Sequence, residues 1–65
     1  LRVYPNPAQG GTVVFNRPIG FSLYDMPGKR IGTYRNTDML DVSGLDAGCY
    51  FIVTEEQEVL RLVLE

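Results

Sequence analysis

The sequence predicts an all-β sandwich of about six to seven short strands, and three observations carry that prediction. Short runs rich in β-branched and aromatic residues recur along the 65 residues, each closed by Pro, Gly, Asn or Asp. No stretch has the apolar period of a helix. The closing run Val59–Leu64 alternates, with Leu60, Leu62 and Leu64 on one face and Val59, Arg61 and Val63 on the other, the period of 2 of a half-buried strand. Short strands so closely spaced pack as antiparallel layers around one core.

Taken in order, residues 1–4 are a β-prone run that Pro5-Asn6-Pro7 stops. Proline fixes φ, lacks the N–H a ladder needs and pushes its predecessor toward extended geometry, so the run leaves as a stiff, non-helical exit. Ala8-Gln9-Gly10-Gly11 is a flexible corner before a second strand, Thr12-Val13-Val14-Phe15, which Asn16-Arg17-Pro18 breaks. Residues 20–25 alternate, with Phe21 and Leu23 on one face and Ser22 and Tyr24 on the other. In Met26-Pro27-Gly28-Lys29, proline in the second place and glycine in the third match a type II turn, which sends the chain back through residues 30–34 as a hairpin.

Residues 35–38 read as a polar loop, and residues 39–42 as a short strand with Leu40 and Val42 inward and Asp41 outward. Ser43-Gly44-Leu45-Asp46 is a corner whose leucine plugs the open end of the core. Gly48–Thr54 is largely apolar on both faces, the pattern of a central strand covered on two sides. A polar turn, Glu55-Glu56-Gln57, joins it to the closing strand, and the two are expected to form a hairpin.

A chain of this size is one domain with a small core, since it buries only about 60% of the surface its unfolded form exposes, and it cannot also enclose a deep pocket. It begins at Leu1 without an initiator methionine and reads as a piece of a larger chain. Six basic and eight acidic residues are scattered, giving a net charge of −2 and no electrostatic footprint for nucleic acid or anionic lipid. A single cysteine allows no internal disulfide, and no apolar run reaches the length of a membrane span. Histidine is absent, which removes the usual zinc sites and every Ser-His or Cys-His nucleophile pair. No cofactor, metal site or enzymatic activity is expected.

Each feature that invites a functional claim also has a plainer reading. Pro5-Asn6-Pro7 is a rigid strand terminator by its physics alone. Gly28-Lys29 lacks the other glycines and the helix of a phosphate loop, and reads as a turn with an exposed charge. Asp25, Asp38, Asp41, Asp46, Glu55 and Glu56 have no calcium-loop spacing. Cys49, on the face of Phe51 and Val53, behaves as a small hydrophobe. Arg61, the one charge in the closing strand, either guards an edge from aggregation or marks a surface that a partner reads.

The order of these motifs resembles a known family. Val3-Tyr4-Pro5-Asn6-Pro7-Ala8, Leu23-Tyr24-Asp25 with Gly28-Lys29, Leu40-Asp41-Val42-Ser43 with Leu45, Gly48 with Tyr50-Phe51-Ile52, and the aliphatic last strand are similar to the type A C-terminal sorting domain of type IX secretion cargo in Bacteroidetes. The resemblance spans essentially the whole chain. It implies an immunoglobulin-like antiparallel β-sandwich, one domain over residues 1–65, and a non-catalytic address tag on a secreted or cell-surface protein that passes through the periplasm and outer membrane. The partners it implies are the parent cargo, the outer-membrane translocon, a shuttle β-barrel and a sortase-like cysteine peptidase that removes the tag. It places the family's signal positions on Pro5, Asn6, Pro7, Gly28, Lys29, Gly48, Tyr50 and Arg61. In the family the turn before the last strand is usually Asn-Gly-like, whereas here it is Glu-Glu-Gln, and Cys49 stands where Val or Ile is commoner.

An export signal of this kind could be read by β-augmentation, if free N–H and C=O groups line the last strand and Arg61 sets specificity. The alternative is a fibronectin-like or carbohydrate-binding accessory module, with Tyr4, Tyr24, Tyr34 and Tyr50 available for sugars but no tryptophan. A structural spacer packed against an enzyme is a third possibility.

Overall fold

A computed structural model of the protein describes residues 1–65. It contains β1 (Val3–Tyr4), β2 (Thr12–Asp25), β3 (Arg30–Asp41), β4 (Gly48–Thr54) and β5 (Val59–Leu64), and no helix. All five belong to one antiparallel sheet in the order β1-β2-β4-β5, with β3 on the other side of β2. β2 is the organising strand. Its first half meets β1 at Val3↔Phe15 and Tyr4↔Val14, and its second half meets β4 from Phe21↔Thr54 to Asp25↔Tyr50.

Five strands therefore stand where six to seven were expected, because two expected breaks are bends inside longer strands. Asn16-Arg17-Pro18 does not end β2. The β2–β3 register jumps from Val14↔Met39 to Ile19↔Thr37, so Pro18 falls in a bulge where its missing N–H costs no ladder bond. The polar residues 35–38 likewise stay within β3, where a second shift between Ile19↔Thr37 and Phe21↔Tyr34 accompanies Asn36 at φ 46°. Bulges bend a strand and sharpen its twist. The long hairpin curls until Phe15 of one half meets Phe21 of the other edge-on at 4.9 Å. Two separate sheets are replaced by a single sheet wrapped around its own core.

That core follows the predicted alternation. Phe21, Leu23, Leu40, Val42, Ile52, Leu62 and Leu64 are buried, and Leu45 packs half-buried against them as the expected plug. Each such side chain contributes about 1.5–3 kcal/mol relative to exposure. β4 departs from expectation: Tyr50, Ile52 and Thr54 face the core, but Cys49, Phe51 and Val53 are half-buried on the outer face, which no strand covers. The apolar character of both faces reflects a core on one side and an open apolar surface on the other.

The two hairpin turns share one design. Gly28 N–H donates to the Asp25 carbonyl (3.0 Å) and Asp25 N–H to that of Lys29 (3.0 Å), so the turn starts one residue earlier than the type II turn read from Met26-Pro27-Gly28-Lys29. The cause is the Asp25 carboxylate, which accepts the Lys29 N–H at 2.7 Å and pins residue 29 opposite residue 25. Gly28, at φ 97°, takes the left-handed place of the three-residue loop at no steric cost. Between β4 and β5, Gln57 N–H donates to Thr54 C=O and Thr54 N–H to Glu58 C=O (2.9 and 2.8 Å), with Thr54 Oγ1 accepting Glu58 N–H in the role of Asp25. Here Gln57, at φ 65°, stands where the first turn has glycine.

Candidate functional site

β5 pairs with β4 from Val53↔Val59 to Gly48↔Leu64, so its other edge carries the main-chain groups that β-augmentation would use. That edge is already taken. The Asn6 side-chain amide donates from Nδ2 to the Arg61 carbonyl (2.7 Å), and its Oδ1 accepts the Val63 N–H (3.0 Å). Ala8 N–H then donates to the Val63 carbonyl, and Glu65 N–H to the Ala8 carbonyl, both at 2.8 Å. A carboxamide has the donor and acceptor geometry of a peptide unit, so Asn6 acts as one rung of a short parallel ladder and Ala8 as the next. The expectation of free N–H and C=O groups along the last strand is corrected over residues 61–65.

The same segment explains Pro5-Asn6-Pro7. The peptide bonds Tyr4–Pro5 and Asn6–Pro7 are cis. β1 pairs with β2, while residues 6–8 pair with β5, so the segment joins the two ends of the curled sheet. Ala8 is fully buried beneath it. The sequence marked this stretch as an exit from a strand. Its role as a closing strap was invisible because Asn6 works through its side chain, which leaves no β-like pattern.

The other sequence-predicted positions lie apart from the strap. Gly28 and Lys29 occupy the β2–β3 turn. Tyr50 is buried and donates its hydroxyl to the Asp46 carbonyl at 2.6 Å, fixing the corner that carries Leu45. Gly48 opens β4 at φ 148°, a conformation side chains rarely adopt. Arg61 lies in the middle of β5, its carbonyl held by Asn6 and its exposed side chain on the outer face opposite Phe51. Pro5, Asn6, Pro7 and Arg61 are thus brought together, while Gly28 with Lys29 and Gly48 with Tyr50 form two further places.

Sequence reading missed the anchoring of the acidic turn. Glu55 N–H donates to the Gly20 carbonyl (2.9 Å) while Glu55 Oε1 accepts the Gly20 N–H (3.0 Å). Glu56 forms an ion pair with Arg17 at 2.7 Å, and that hydrogen bond and charge raise the Arg17 pKa. Glu55-Glu56 therefore ties the β4–β5 hairpin to the bend of β2. The only signal in the sequence was that these two acids stand where a shorter, neutral turn would serve.

No group of three or more His, Cys, Asp or Glu residues is placed to hold a metal, and no helix is long and apolar enough to cross a membrane. Of the four tyrosines, Tyr24 and Tyr34 line one shallow concavity, with Tyr34 stacked on Phe21 (4.9 Å), whereas Tyr50 is buried and Tyr4 lies on β1.

What fold and surface define is a small all-β module that satisfies its last strand from within and leaves the outer face of its terminal hairpin open. Residues 2–63 match the family of secretion system C-terminal sorting domains, and the chain belongs to that family, the sorting domains of type IX secretion. No curated protein is similar enough to match. Membership makes it a sorting signal of a secreted or cell-surface protein, attached to a parent cargo and engaged by the type IX machinery. Domains of this family are non-catalytic in general.

Proposed function

We propose that this domain is the non-catalytic C-terminal signal that carries its parent cargo across the outer membrane and to the cell surface, and that the machinery reads it at the β4–β5 hairpin. The family match over residues 2–63 carries this reading. The geometry supports the hairpin because its outer face holds Phe51, Val53, Val59 and Val63 with Arg61 among them, and no part of the chain covers it. With the outer edge of β5 strapped, recognition rests on side chains of this face more than on added main-chain pairing. Pro5, Asn6 and Pro7 hold the hairpin to the rest of the fold, Gly48 and Tyr50 set the start of β4, and Gly28 and Lys29 shape the neighbouring turn. The translocon and shuttle β-barrel are the readers in this scheme, and the sortase-like peptidase acts after them.

A reporter fused to residues 1–65 in a host with the secretion system tests the reading. The reporter is expected at the cell surface, and removal of residues 59–65 is expected to hold it in the periplasm. Because that deletion also removes Leu62 and Leu64 from the core, a second variant, Val59→Glu with Arg61→Glu, changes exposed positions only. Periplasmic retention of the intact fusion, or normal export of both variants, overturns the proposal.

A further inference from the structure

The structure gathers charges that the sequence scatters. Tyr24 is opposite Arg30 on β3 and opposite Phe51 on β4, and Phe51 is opposite Arg61 on β5. Directly paired residues of an antiparallel ladder share a face. One rung therefore runs Arg30, Tyr24, Phe51, Arg61 across four strands. Both aromatic residues are half-buried and both arginines exposed. Neither arginine forms an ion pair, whereas Arg17 does. Next to the rung, Ser22, Thr33, Val53 and Arg35 line a shallow concavity of about 290 Å³. The acid at its border, Glu55, is occupied by the Gly20 N–H. In a chain of net charge −2, this face presents three arginines around an apolar centre.

We propose that this outer face binds an extended acidic segment of a partner protein, with a carboxylate on each of Arg30 and Arg61 and an apolar side chain between them on Tyr24 and Phe51. This rests on the sorting reading and names the chemistry of the partner. Three strand spacings separate Arg30 from Arg61, roughly 14 Å. An extended chain rises about 3.3 Å per residue and returns to the same face every second residue, so positions one and five stand about 13 Å apart with position three between them. The recognised pattern is acid, any, apolar, any, acid. Two aromatic faces bracketed by guanidinium groups suit such a segment, because arginine engages carboxylates with a planar fork. A second copy of this domain is disfavoured as occupant, since it would bring arginines against arginines.

Nuclear magnetic resonance titration of the isotope-labelled domain with acetyl-Glu-Thr-Phe-Thr-Glu-amide tests this directly. Saturable shifts are expected at Tyr24, Phe51, Val53 and Arg61, weakening with salt. The acetyl-Gln-Thr-Phe-Thr-Gln-amide control, and the Arg30→Gln/Arg61→Gln variant with the acidic peptide, are each expected to bind about tenfold more weakly. The Arg30→Glu/Arg61→Glu variant is expected to prefer acetyl-Lys-Thr-Phe-Thr-Lys-amide. Absence of saturable shifts, equal binding of the Gln control, or unchanged binding by the Gln variant overturns the proposal. So does arginine-dependent binding to phosphatidylglycerol vesicles without response to the peptide, or self-association through this face. The peptide assay needs no export, so its failure is distinct from failure of the reporter fusion.

Discussion

The two outer edges of the sheet are protected in opposite ways. β5 is regular and apolar, and its edge is closed by four hydrogen bonds from Asn6 and Ala8. β3 is twice as long and pairs only with β2, with no strand on its other edge, where a single hydroxyl, that of Thr37, accepts the Met39 N–H and donates to the Met39 carbonyl (3.2 and 3.1 Å). What guards β3 is irregularity and charge: its pairing slips at three places, Asn36 turns left-handed, and Arg30, Arg35, Asp38 and Asp41 punctuate it. A flat apolar edge invites a foreign strand, whereas a bent and charged one repels it. The smooth edge needs a covering segment of its own chain, whereas the rough edge has only one hydroxyl of its own strand.

Breaking the cover is expected to cost most. Asn6→Ala removes two hydrogen bonds, each worth about 0.5–1.5 kcal/mol net, so urea unfolding should show a loss of about 1–3 kcal/mol. Hydrogen exchange of the Val63 and Glu65 amides should accelerate with it. Asn6→Asp should do no better, since a carboxylate keeps the acceptor for Val63 but sets a second oxygen against the Arg61 carbonyl. Unchanged exchange at Val63 in Asn6→Ala would mean that Ala8 alone closes the edge. The complementary change is made on β3. Asn36→Val puts a β-branched residue at φ 46°, with an expected loss of about 1–2 kcal/mol, and it raises the tendency to aggregate at the open edge. Light scattering during refolding measures the second effect, and full solubility of this variant would show that charge alone protects β3.

The two turns sharpen the contrast between the two halves of the sheet. Gly28 and Gln57 hold equivalent left-handed places, but only one is glycine. Gln57→Gly should relieve about 1–2 kcal/mol of backbone cost and lose about 0.5–1 kcal/mol to chain entropy, a net gain of roughly 0.5 kcal/mol. Thermal unfolding read beside Gly28→Ala, which should destabilise, checks it. A loss of stability in Gln57→Gly would show that the glutamine side chain has a role of its own in the hairpin.

How much of this was legible follows from what each residue type advertises. Leu62 and Leu64, or Phe21 and Leu23, announce their face by period, whereas Ala8, read as part of a flexible corner, and Ile19, beside a supposed break, are core residues that no local pattern marks. Asn16-Arg17-Pro18 and residues 35–38 were read as breaks because proline and polar residues look alike in a loop and in a bulge. Only the partner strand distinguishes them. The hairpin surface was half legible. Phe51 and Val53 declared an apolar face, but that this face is open rather than covered depends on how many strands the chain supplies. The rung joining Arg30 to Arg61 depends on the bulge between Leu23 and Tyr24, and no local pattern encodes it.

The smallest effect separates the edges by chemistry rather than by strength. Where β3 ends, the Asp41 carboxylate accepts the Ser43 hydroxyl at 2.7 Å and the Ser43 N–H at 2.9 Å, and these bonds hold its pKa below the ordinary carboxylate value. A carboxylate with a depressed folded pKa contributes stability that is present above its unfolded pKa and lost as pH falls through the folded value. The strap on β5 is made of a carboxamide and main-chain groups, which do not titrate. Acid should therefore loosen the Ser43 amide while leaving the Val63 amide protected. Carbon-13 titration of the Asp41 carboxyl should show the depressed value, and Ser43→Ala should return it toward normal by removing the hydroxyl. If Val63 loses protection together with Ser43 as Asp41 protonates, the two edges are coupled through the core, and the strap is not the independent closure that its hydrogen bonds describe.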